Sequence, residues 1–441
     1  MKNQVNTVII GSGICGLSAA HFLAKKTSDF LVLEATDIPG GIIKTKIENN
    51  FICENGPNTV LLNNDAIEEI IRDCGLWNSL QFPKESSNKN RFVLHKNKLT
   101  KNPITTLKFI FSRLFSFSSK IRILKEFLVK PHNENTSVYE FIKKRFGEDF
   151  HNKLIEPFIT GIYAGNTKKM SAKHTLKMLW RLEQDHGSII KGIFKSKRDQ
   201  KGKINSFNFP NGLSSLISKI ANSVDDKLIF NFSVNSILKT QNGYEIISGS
   251  NKIFCKEIIC TVPAHALKTF VDDKDLTTQL DKIIYSPVDV FHFGFYKKNI
   301  KNNKQGFGVL TKPSDGKSYL GVLFNSRIFD YVSPKDKELF TVLVGGERQK
   351  HLCEIPPNKL QQIILDELEE LINHKGETVL KSHYRWLKGI PQFNLDHNNL
   401  LNTIQEFEKN NSKFHLIGNY FNGVSVSDCI KKAKDLVKDI N

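Results

Sequence analysis

The chain contains 441 residues, of which 39% are hydrophobic and 24% charged, enough to form a buried core in about two or three domains. Its formal net charge of +18 favours an acidic partner such as nucleic acid, anionic lipid or an acidic substrate, although a generally basic proteome gives the same balance. No run approaches the roughly 18 uninterrupted apolar residues of a membrane-spanning helix, and we expect no signal peptide.

The cysteines argue against two further classes of protein. There are seven of them, at Cys15, Cys53, Cys74, Cys255, Cys260, Cys353 and Cys429. The number is odd, no two of them form a C-x-x-C pair, and none has a metal-ligand spacing to histidine. We therefore expect a protein of a reducing compartment, without a bound metal and without a disulfide framework.

The first predicted element is a βαβ unit. Residues 7–10 form a short apolar run typical of a buried parallel strand, residues 17–26 have helical composition, and residues 30–34 form a second strand. Between the first strand and the helix stand Gly11, Ser12, Gly13, Ile14, Cys15 and Gly16. This order of strand, glycine turn, helix and strand predicts an α/β domain of the Rossmann type.

The glycine turn has the G-x-G-x-x-G pattern of a dinucleotide site. Gly11 permits the tight turn, Gly13 lets the backbone approach a pyrophosphate, and Gly16 lets the helix pack closely on the strand. The pyrophosphate then lies at the positive end of the helix dipole. Glu34, followed by Ala35, ends the second strand, where a carboxylate accepts hydrogen bonds from ribose hydroxyl groups.

Three further loops favour FAD over NAD as the dinucleotide. The first is Pro-Gly-Gly at residues 39–41, followed by Ile42, and the second is residues 56–59. The third is residues 418–426, which open the last predicted helix and direct its N-terminus at a polar ring edge. Each loop alone is typical of an ordinary turn, but an NAD site would need none of them. Within these loops the candidate cofactor contacts are Gly41, Ile42, Gly56, Pro57, Asn58, Thr59, Asn419, Val424, Ser425 and Val426.

The middle of the chain differs in character. In residues 102–130 apolar residues alternate with basic ones, and almost no acidic residue occurs. The apolar residues are Phe109, Ile110, Phe111, Leu114, Phe115, Phe117, Ile121, Leu124, Phe127 and Leu128, and the basic ones are Lys108, Arg113, Lys120, Arg122, Lys125 and Lys130. Residues 137–181 have helix-compatible sequence, and residues 285–343 have the alternating pattern of an antiparallel sheet. The predicted fold is α/β in the cofactor domain and α+β overall.

Motifs along nearly the whole chain resemble the FAD-dependent, oxygen-dependent protoporphyrinogen oxidases of the flavin amine oxidase superfamily. They include GSGICGLSAAHFL, VLEATDIPGG, ENGPNTV, NRFVLHKNKL, FNFPNGLSSL, WLKGIPQFNLDH and LIGNYFNGVSVSDCI. The most specific block is EPFITGIYAGNTKKMSAKHTLKMLWRLEQDHGSII at residues 156–190, which is not a general flavoprotein pattern. The resemblance implies FAD as the cofactor.

The resemblance also implies three structural parts. A Rossmann-like FAD-binding domain would combine residues 1–90, 205–270 and 400–441, and a substrate-binding domain with an antiparallel sheet would span residues 271–399. A helical membrane-binding domain would span residues 91–204 and contain the apolar and basic segment. There, basic residues would meet anionic head groups while Phe and Leu enter the acyl boundary, although the same Phe residues would also suit the core of a helical bundle.

The implied reaction is the oxygen-dependent oxidation of protoporphyrinogen IX to protoporphyrin IX in haem biosynthesis. Six electrons would leave in three FAD turnovers, each forming hydrogen peroxide. The sequence does not separate this substrate from coproporphyrinogen III. The remaining alternatives on the same fold are a flavin amine oxidase or carotenoid desaturase, and a non-enzymatic, membrane-associated binding protein. The sequence shows no constellation of nucleophile and base and no carboxylate pair that would define a catalytic acid or base.

Four residues match substrate contacts of the family. Arg91 matches an arginine that pairs with a substrate propionate, and Gly161 matches a glycine whose backbone carbonyl faces the ring near the meso carbon. Leu310, with Phe307 beside it, matches the apolar residues that enclose the macrocycle. The other interpretations of these residues are a surface arginine and ordinary sheet core.

Further residues match flavin contacts of the family. Asn58 would lie beside the flavin, near the meso carbon of the substrate. Val234 would contact the adenine end, Trp386 would line the flavin region, and residues 424–426 would lie on the isoalloxazine ring.

The expected partners are a porphyrinogen, molecular oxygen and a membrane surface, with ferrochelatase and a second copy of the chain as further candidates. We expect no nucleic acid, because no recognised nucleic-acid-binding module occurs in the sequence. In a bacterial cell the protein would be cytoplasmic and peripheral, on the cytoplasmic face of the inner membrane.

Overall fold

The computed structural model describes residues 4–102, 112, 114–196, 205–421 and 423–440. Its strands are β1 (Gln4–Ile10), β2 (Phe30–Leu33), β3 (Thr45–Glu48), β4 (Phe51–Glu54), β5 (Val60–Leu62), β6 (Phe92–His95), β7 (Lys98–Lys101), β8 (Asn205–Phe207), β9 (Leu228–Ile229), β10 (Ser236–Thr240), β11 (Gly243–Ser248), β12 (Asn251–Cys260), β13 (Tyr285–Tyr296), β14 (Gly308–Leu310), β15 (Gly321–Leu323), β16 (Lys337–Gly345), β17 (Thr378–Pro391) and β18 (Phe414–Leu416). Its α-helices are α1 (Ile14–Ala24), α2 (Asp65–Asp73), α3 (Glu85–Asn88), α4 (Phe117–Leu124), α5 (Val138–Phe146), α6 (Glu148–Phe150), α7 (Glu156–Tyr163), α8 (Ala172–Thr175), α9 (Lys177–His186), α10 (Ile189–Ser196), α11 (Ser214–Ser223), α12 (Ala264–Leu267), α13 (Lys274–Asp281), α14 (Asn325–Ile328), α15 (Pro357–Ile372), α16 (His397–Asn410) and α17 (Val426–Asp439). Short 3₁₀ helices are Trp77–Ser79, Glu126–Leu128, Asp225–Lys227, Lys297–Asn299, Pro313–Asp315, Asp330–Val332 and Lys350–Glu354, and a π-helical turn is His151–Ile155.

The first sheet contains the predicted βαβ unit. β1 lies parallel to β2 on one side and to β12 on the other, β9 pairs with β2, and β18 pairs with β12, all in parallel. β10 and β11 add an antiparallel edge beside β12. The second half of β1 is buried, as expected for a parallel strand with helices on both faces. The Rossmann-like prediction for this part of the chain is therefore confirmed.

Helices cover both faces of the first sheet. On one face α1, α11 and α17 pack together through apolar residues such as Leu17, Ile220 and Ile430. On the other face α13 and α16 pack on the sheet through residues such as Leu276 and Ile404. α13 packs here although its residues fall in the range predicted for the substrate-binding domain.

The second sheet has the strand order β17-β13-β16-β15-β14-β6-β7 and is antiparallel except for the pair of β14 and β6. α15 covers one of its faces through Leu360, Ile364 and Leu368. The predicted antiparallel sheet is therefore confirmed. It also includes β6 and β7, so the range 91–204, which we expected to be helical, begins with strands of this sheet.

A helical part occupies the chain between β7 and β8. Its helices α4 to α10 pack around a core that includes Phe141 and Ile159. Buried charges in this core are paired: Arg145 donates to the carboxylates of Glu126 and Glu183, and all three side chains are fully buried. Such pairing satisfies charges that would be costly if left alone in the interior.

The apolar and basic segment divides into parts with different surroundings. Ten of its residues, 103–111 and 113, lie outside the described residues, among them Lys108, Phe109, Ile110, Phe111 and Arg113. Leu114 and Phe115 are buried, whereas Phe117, Leu124 and Leu128 are largely exposed. Within the described ranges, no helix has both the length and the apolar character needed to cross a membrane.

Candidate active site

The turn between β1 and α1 is shaped by its glycines. Gly11 has a φ of +97°, in the left-handed region that favours glycine. A Cβ atom on Gly16 would overlap the carbonyl oxygen of Gly11, so the helix starts in close contact with the turn. A Cβ atom on Gly13, in contrast, would meet no described atom within 4 Å. The backbone at Gly13 is therefore open to the approach of a ligand.

The Gly40–Gly41 loop faces this turn. The Gly40 N–H donates to the carbonyl of Ser12 at 2.9 Å, and Gly40 forms a parallel bridge with Gly13. Gly41 has a φ of +58°, and a Cβ atom on it would stand 3.4 Å from the Cα of Gly13. Two glycine-containing loops thus meet at the N-terminus of α1, whose first turn carries no acidic residue. This cradle fits the pyrophosphate of a dinucleotide.

Glu34 follows β2 and reaches the same turn. Its carboxylate accepts hydrogen bonds from the backbone N–H of Ser12 at 2.9 Å and from its hydroxyl at 2.6 Å. It also accepts from the N–H and the hydroxyl of Thr36, at 3.0 and 2.8 Å. Burial raises the pKa of Glu34, but these hydrogen bonds outweigh it and leave the pKa below its usual value. The group is therefore an anion at neutral pH, as a ribose-binding carboxylate must be.

The loop around Asn58 is held by side chains from two distant parts of the chain. A Cβ atom on Gly56 would overlap the carbonyl oxygen of Ile42, so this loop touches the Gly-Gly loop. The backbone carbonyl of Asn58 accepts from the side-chain amide of Asn208 at 3.0 Å, and its side-chain oxygen accepts from Asn325 at 3.2 Å. Asn325 begins α14, which follows β15 of the second sheet. Asn58 therefore joins the cofactor side of the site to the substrate side.

Trp386 and Tyr384 project from β17 toward these loops. The indole N–H of Trp386 donates to the carbonyl of Asn55 at 2.6 Å, and the ring centroids of Trp386 and Tyr384 are 4.6 Å apart. The ammonium of Lys44 lies 5.5 Å from the centroid of Tyr384 and 5.6 Å from that of Trp386. The rings of Tyr384 and Trp386, with the Lys44 ammonium over them, thus lie beside the predicted flavin loops.

The last glycine loop ends at the N-terminus of α17. Ser425 caps this helix, since its hydroxyl accepts from the N–H of Asp428 at 3.1 Å. Gly423 has a φ of +145°. The side chain of Lys432 stabilises the loop by donating a hydrogen bond to the carbonyl of Gly418 at 3.0 Å. The helix end supplies the partial positive charge that we expect opposite a polar ring edge.

The other predicted cofactor residues differ in exposure. Pro57, Thr59, Val234, Asn419 and Val424 are half-buried, Ile14, Cys15 and Val426 are buried, and Ala35 and Ile42 are exposed. The turn after β1 and the end of β2 both lie at the carboxyl edge of the parallel strands, where open α/β sheets bind their ligands.

Arg91 and Phe307 are in contact. The guanidinium carbon of Arg91 lies 4.4 Å from the centroid of the Phe307 ring. Arg91 forms no ion pair with any carboxylate of the described residues, and burial alone lowers its pKa from the usual value. It remains a cation at neutral pH. This charge is therefore available to an anionic ligand.

Gly161 and Leu310 form a second contact. A Cβ atom on Gly161 would overlap the Cδ2 of Leu310, and one on Gly321 would lie 3.2 Å from the same atom. In the parallel pairing of β6 with β14, Leu310 lies beside Val93. The four predicted substrate contacts thus form two touching pairs, and the strand that follows Arg91 is the neighbour of the strand that contains Leu310.

Three residues that contact Asn58 or the aromatic side chains of β17 were not identified as site residues from the sequence. Asn208 and Asn325 act on Asn58 from 150 and 267 positions away along the chain. Lys44 follows the Gly-Gly loop but meets its aromatic partners on β17, 340 positions later for Tyr384. Asn208 lies in the FNFPNGLSSL motif, but nothing in that motif indicates its partner.

The glycine turn, the ionised carboxylate at the end of β2 and the capped N-terminus of α17 fit FAD in an extended form. Together with the second sheet, they define the class of FAD-dependent oxidoreductases. A profile of the flavin containing amine oxidoreductases matches residues 14–441, and the chain belongs to this family.

Individual relatives specify the resemblance further. Protoporphyrinogen oxidase 2 of Arabidopsis thaliana is 29% identical, over 97% of this chain and 93% of that protein. Coproporphyrinogen III oxidase of Bacillus subtilis is 24% identical, over 98% of this chain and 97% of that protein. The crystal structure of a candidate protoporphyrinogen oxidase from Exiguobacterium has a TM-score of 0.86 at 22% identity, over 99% of this chain and 98% of that chain. The resemblance to the protoporphyrinogen oxidases and the FAD cofactor predicted from the motifs are thus confirmed.

Proposed function

We propose that the protein is a porphyrinogen oxidase that converts protoporphyrinogen IX to protoporphyrin IX with molecular oxygen. The relatives that support this proposal are named for the oxidation of porphyrinogens and align along nearly the whole chain. The observation that carries it is the Arg91 guanidinium, which lies on the Phe307 ring without a carboxylate partner among the described residues. A porphyrinogen presents carboxylates at the edge of an apolar macrocycle, which is the chemistry that such a pair recognises.

The residues of the chain act by binding and orientation. The cofactor supplies a two-electron acceptor that oxygen restores, so the six hydrogens lost by one porphyrinogen account for three oxygen molecules consumed and three hydrogen peroxide molecules formed. Arg91 would hold a propionate, while Phe307 and Leu310 would enclose the macrocycle and exclude water. Gly161 would present its backbone carbonyl to the ring, and Asn58 would lie between the ring and the cofactor.

Coproporphyrinogen III is the second candidate substrate, because the relative from Bacillus subtilis is named for it. It carries propionates at the two positions where protoporphyrinogen has vinyl groups, and so it needs more cations around it. Two other cations near the predicted substrate contacts are already neutralised, Lys312 by Asp315 at 2.9 Å and Arg348 by Glu156. This charge balance favours protoporphyrinogen.

An aerobic assay of the purified, FAD-loaded protein tests the proposal. With protoporphyrinogen IX we expect porphyrin fluorescence to appear together with about three hydrogen peroxide molecules per porphyrin. We also expect kcat/KM to be higher than with coproporphyrinogen III. Free FAD and heat-inactivated protein control for autoxidation. A preference for coproporphyrinogen III would move the assignment to the second candidate, and no porphyrin above the controls with either substrate would contradict both.

The proposal includes a membrane surface as a partner. Phe117, Leu124 and Leu128 expose 79%, 65% and 69% of their surface, and Lys120 and Lys125 stand among them in the sequence. Apolar side chains that face outward beside lysines suit an anionic lipid surface, where the apolar groups enter the acyl boundary. We propose that the chain has the three domains given above and that the helical one, residues 91–204, binds the membrane. The exposed apolar side chains support this role.

The cellular location that we propose for the protein rests on its proposed substrate and on this exposed apolar and basic surface. In a bacterial cell we place the protein peripherally on the cytoplasmic face of the inner membrane. Ferrochelatase, which would take the porphyrin product, and a second copy of the chain are the candidate protein partners there.

A further inference from the structure

Lys44 stands between two of the predicted flavin loops. It follows the Gly41–Ile42 segment, and its backbone carbonyl accepts a hydrogen bond from the N–H of Asn55 at 2.8 Å. Asn55 immediately precedes Gly56, whose loop touches Ile42. The backbone of Lys44 is therefore fixed where these two loops meet.

The side chain of Lys44 extends to the second sheet. Its Nζ donates to the hydroxyl of Tyr384 at 3.2 Å and lies over the rings of both Tyr384 and Trp386. Trp386 is itself fixed by its indole hydrogen bond to the carbonyl of Asn55. The ammonium group is thus placed on the face of β17 that is turned toward the flavin loops.

Lys44 differs from Lys46 in having no counter-charge among the described residues. Lys46 also reaches β17, with its Nζ 3.4 Å from the hydroxyl of Ser382, but it is paired with Glu48 at 2.7 Å. Lys44 is half-buried and is held by one hydroxyl and two ring faces. Such partners compensate a desolvated cation incompletely. A ligand with negative charge would complete the site, and FAD is the ligand of this region.

FAD has two places where negative charge resides. Its pyrophosphate belongs at the open backbone of Gly13, where the N-terminus of α1 already provides positive charge. Its flavin ring gains negative charge on reduction, beyond the partial positive charge that we expect from the N-terminus of α17 at one ring edge. Trp386, which supports Lys44, is a predicted neighbour of that ring. We propose that Lys44 faces the flavin ring and stabilises the negative charge that the ring acquires on reduction.

Sulfite tests this charge without any organic substrate, because it adds to N5 of the oxidised flavin and leaves a negative charge on the ring. In FAD-loaded Lys44→Gln we expect sulfite to bind roughly tenfold more weakly than in the unchanged protein, since the unit positive charge that we place opposite the ring is lost. Lys44→Arg keeps the charge and should restore most of the affinity. Lys46→Gln is the matched control and should leave sulfite affinity unchanged, because Glu48 already compensates that lysine.

Three outcomes would overturn the proposal. The first is equal sulfite affinity in Lys44→Gln and the unchanged protein. The second is loss of bound FAD from Lys44→Gln, which would assign the lysine to holding the pyrophosphate. The third is an equal loss of affinity in Lys46→Gln, which would indicate a general effect of surface charge. None of these measurements uses a porphyrinogen, so their failure is distinguishable from a failure of the proposed reaction.

Discussion

Arg91 is the residue to which we assign recognition of the substrate. Its guanidinium carbon lies over the Phe307 ring, 4.4 Å from the ring centroid, and the contact restricts the positions that the side chain can adopt. A planar guanidinium offers two parallel N–H groups to a carboxylate, which a lysine ammonium does not.

Replacing Arg91 with alanine should weaken binding of the substrate more than it slows the reaction of bound substrate. A hydrogen bond between charged groups contributes about 1.5–3 kcal/mol, so KM for protoporphyrinogen should rise roughly 10- to 100-fold in Arg91→Ala. Flavin content should stay normal, and Arg91→Lys should recover part of the loss. Steady-state kinetics by porphyrin fluorescence measures both constants.

Arg72 provides the matched control for this experiment. Its guanidinium carbon lies 3.4 Å from the centroid of Trp77, so it too is an arginine on an aromatic ring, but it belongs to α2. Arg72→Ala should leave KM unchanged. If Arg91→Ala and Arg72→Ala behave alike, Arg91 has no role in the substrate site.

At the scale of secondary structure, the features that could be predicted from the sequence are local in the chain. The glycine turn needs only contacts between near neighbours, such as Gly16 against the carbonyl of Gly11, so its pattern alone predicts its conformation. β6 is different, because it joins the second sheet by placing Phe92 beside Val309. No local pattern encodes a pairing across more than two hundred positions. The hydrogen bond between Asn58 and Asn325 could not be predicted for the same reason, because the two residues are far apart in the sequence.

The apolar and basic segment shows why residue type alone does not predict burial. Phe115 is buried and stacks on Phe150 with ring centroids 5.7 Å apart, whereas Phe117 at the start of α4 is 79% exposed. Core packing and outward exposure were both consistent with this composition, and each applies to a different part of the described segment. What decides between them is whether a side chain meets the neighbouring helical part, as Phe115 meets Phe150, or faces solvent.

The outward side of α4 and the turn after it can be tested with vesicles. Burying a leucine side chain contributes about 1.5–3 kcal/mol, so the double variant Leu124→Ser/Leu128→Ser should lose at least about tenfold in binding to vesicles that contain anionic lipid. Co-sedimentation of the purified protein measures this. Added salt should weaken binding of the unchanged protein, because lysines contribute to it.

A third leucine serves as the control. Leu238 in β10 is 50% exposed but lies outside the helical part. Leu238→Ser should bind vesicles as the unchanged protein does. Equal binding by the double variant and the unchanged protein would contradict a membrane-binding role for this surface.

At the scale of the whole molecule, the site forms where the second sheet meets the cofactor loops. Side-chain hydrogen bonds join the two: Trp386 to Asn55, Asn325 to Asn58, and His292 of β13 to Asn55 at 3.3 Å. Residues predicted to bind the substrate stand on α7 and on or directly before strands of the second sheet. Of those predicted to bind FAD, the glycine turn and Glu34 lie at the carboxyl edge of the first sheet, whereas Trp386 lies on β17 of the second. Electron transfer from substrate to cofactor would therefore take place between the two sheets.

Anaerobic mixing of the FAD-loaded protein with protoporphyrinogen IX tests this transfer most directly, because no other acceptor is then present. With protein in excess, the visible absorbance of the oxidised flavin should bleach, porphyrin should appear in step with it, and up to three flavins should be reduced for each porphyrin formed. Admitting oxygen should restore the flavin spectrum. An unchanged flavin spectrum with both protoporphyrinogen and coproporphyrinogen, in protein whose flavin dithionite still reduces, would contradict the proposed function.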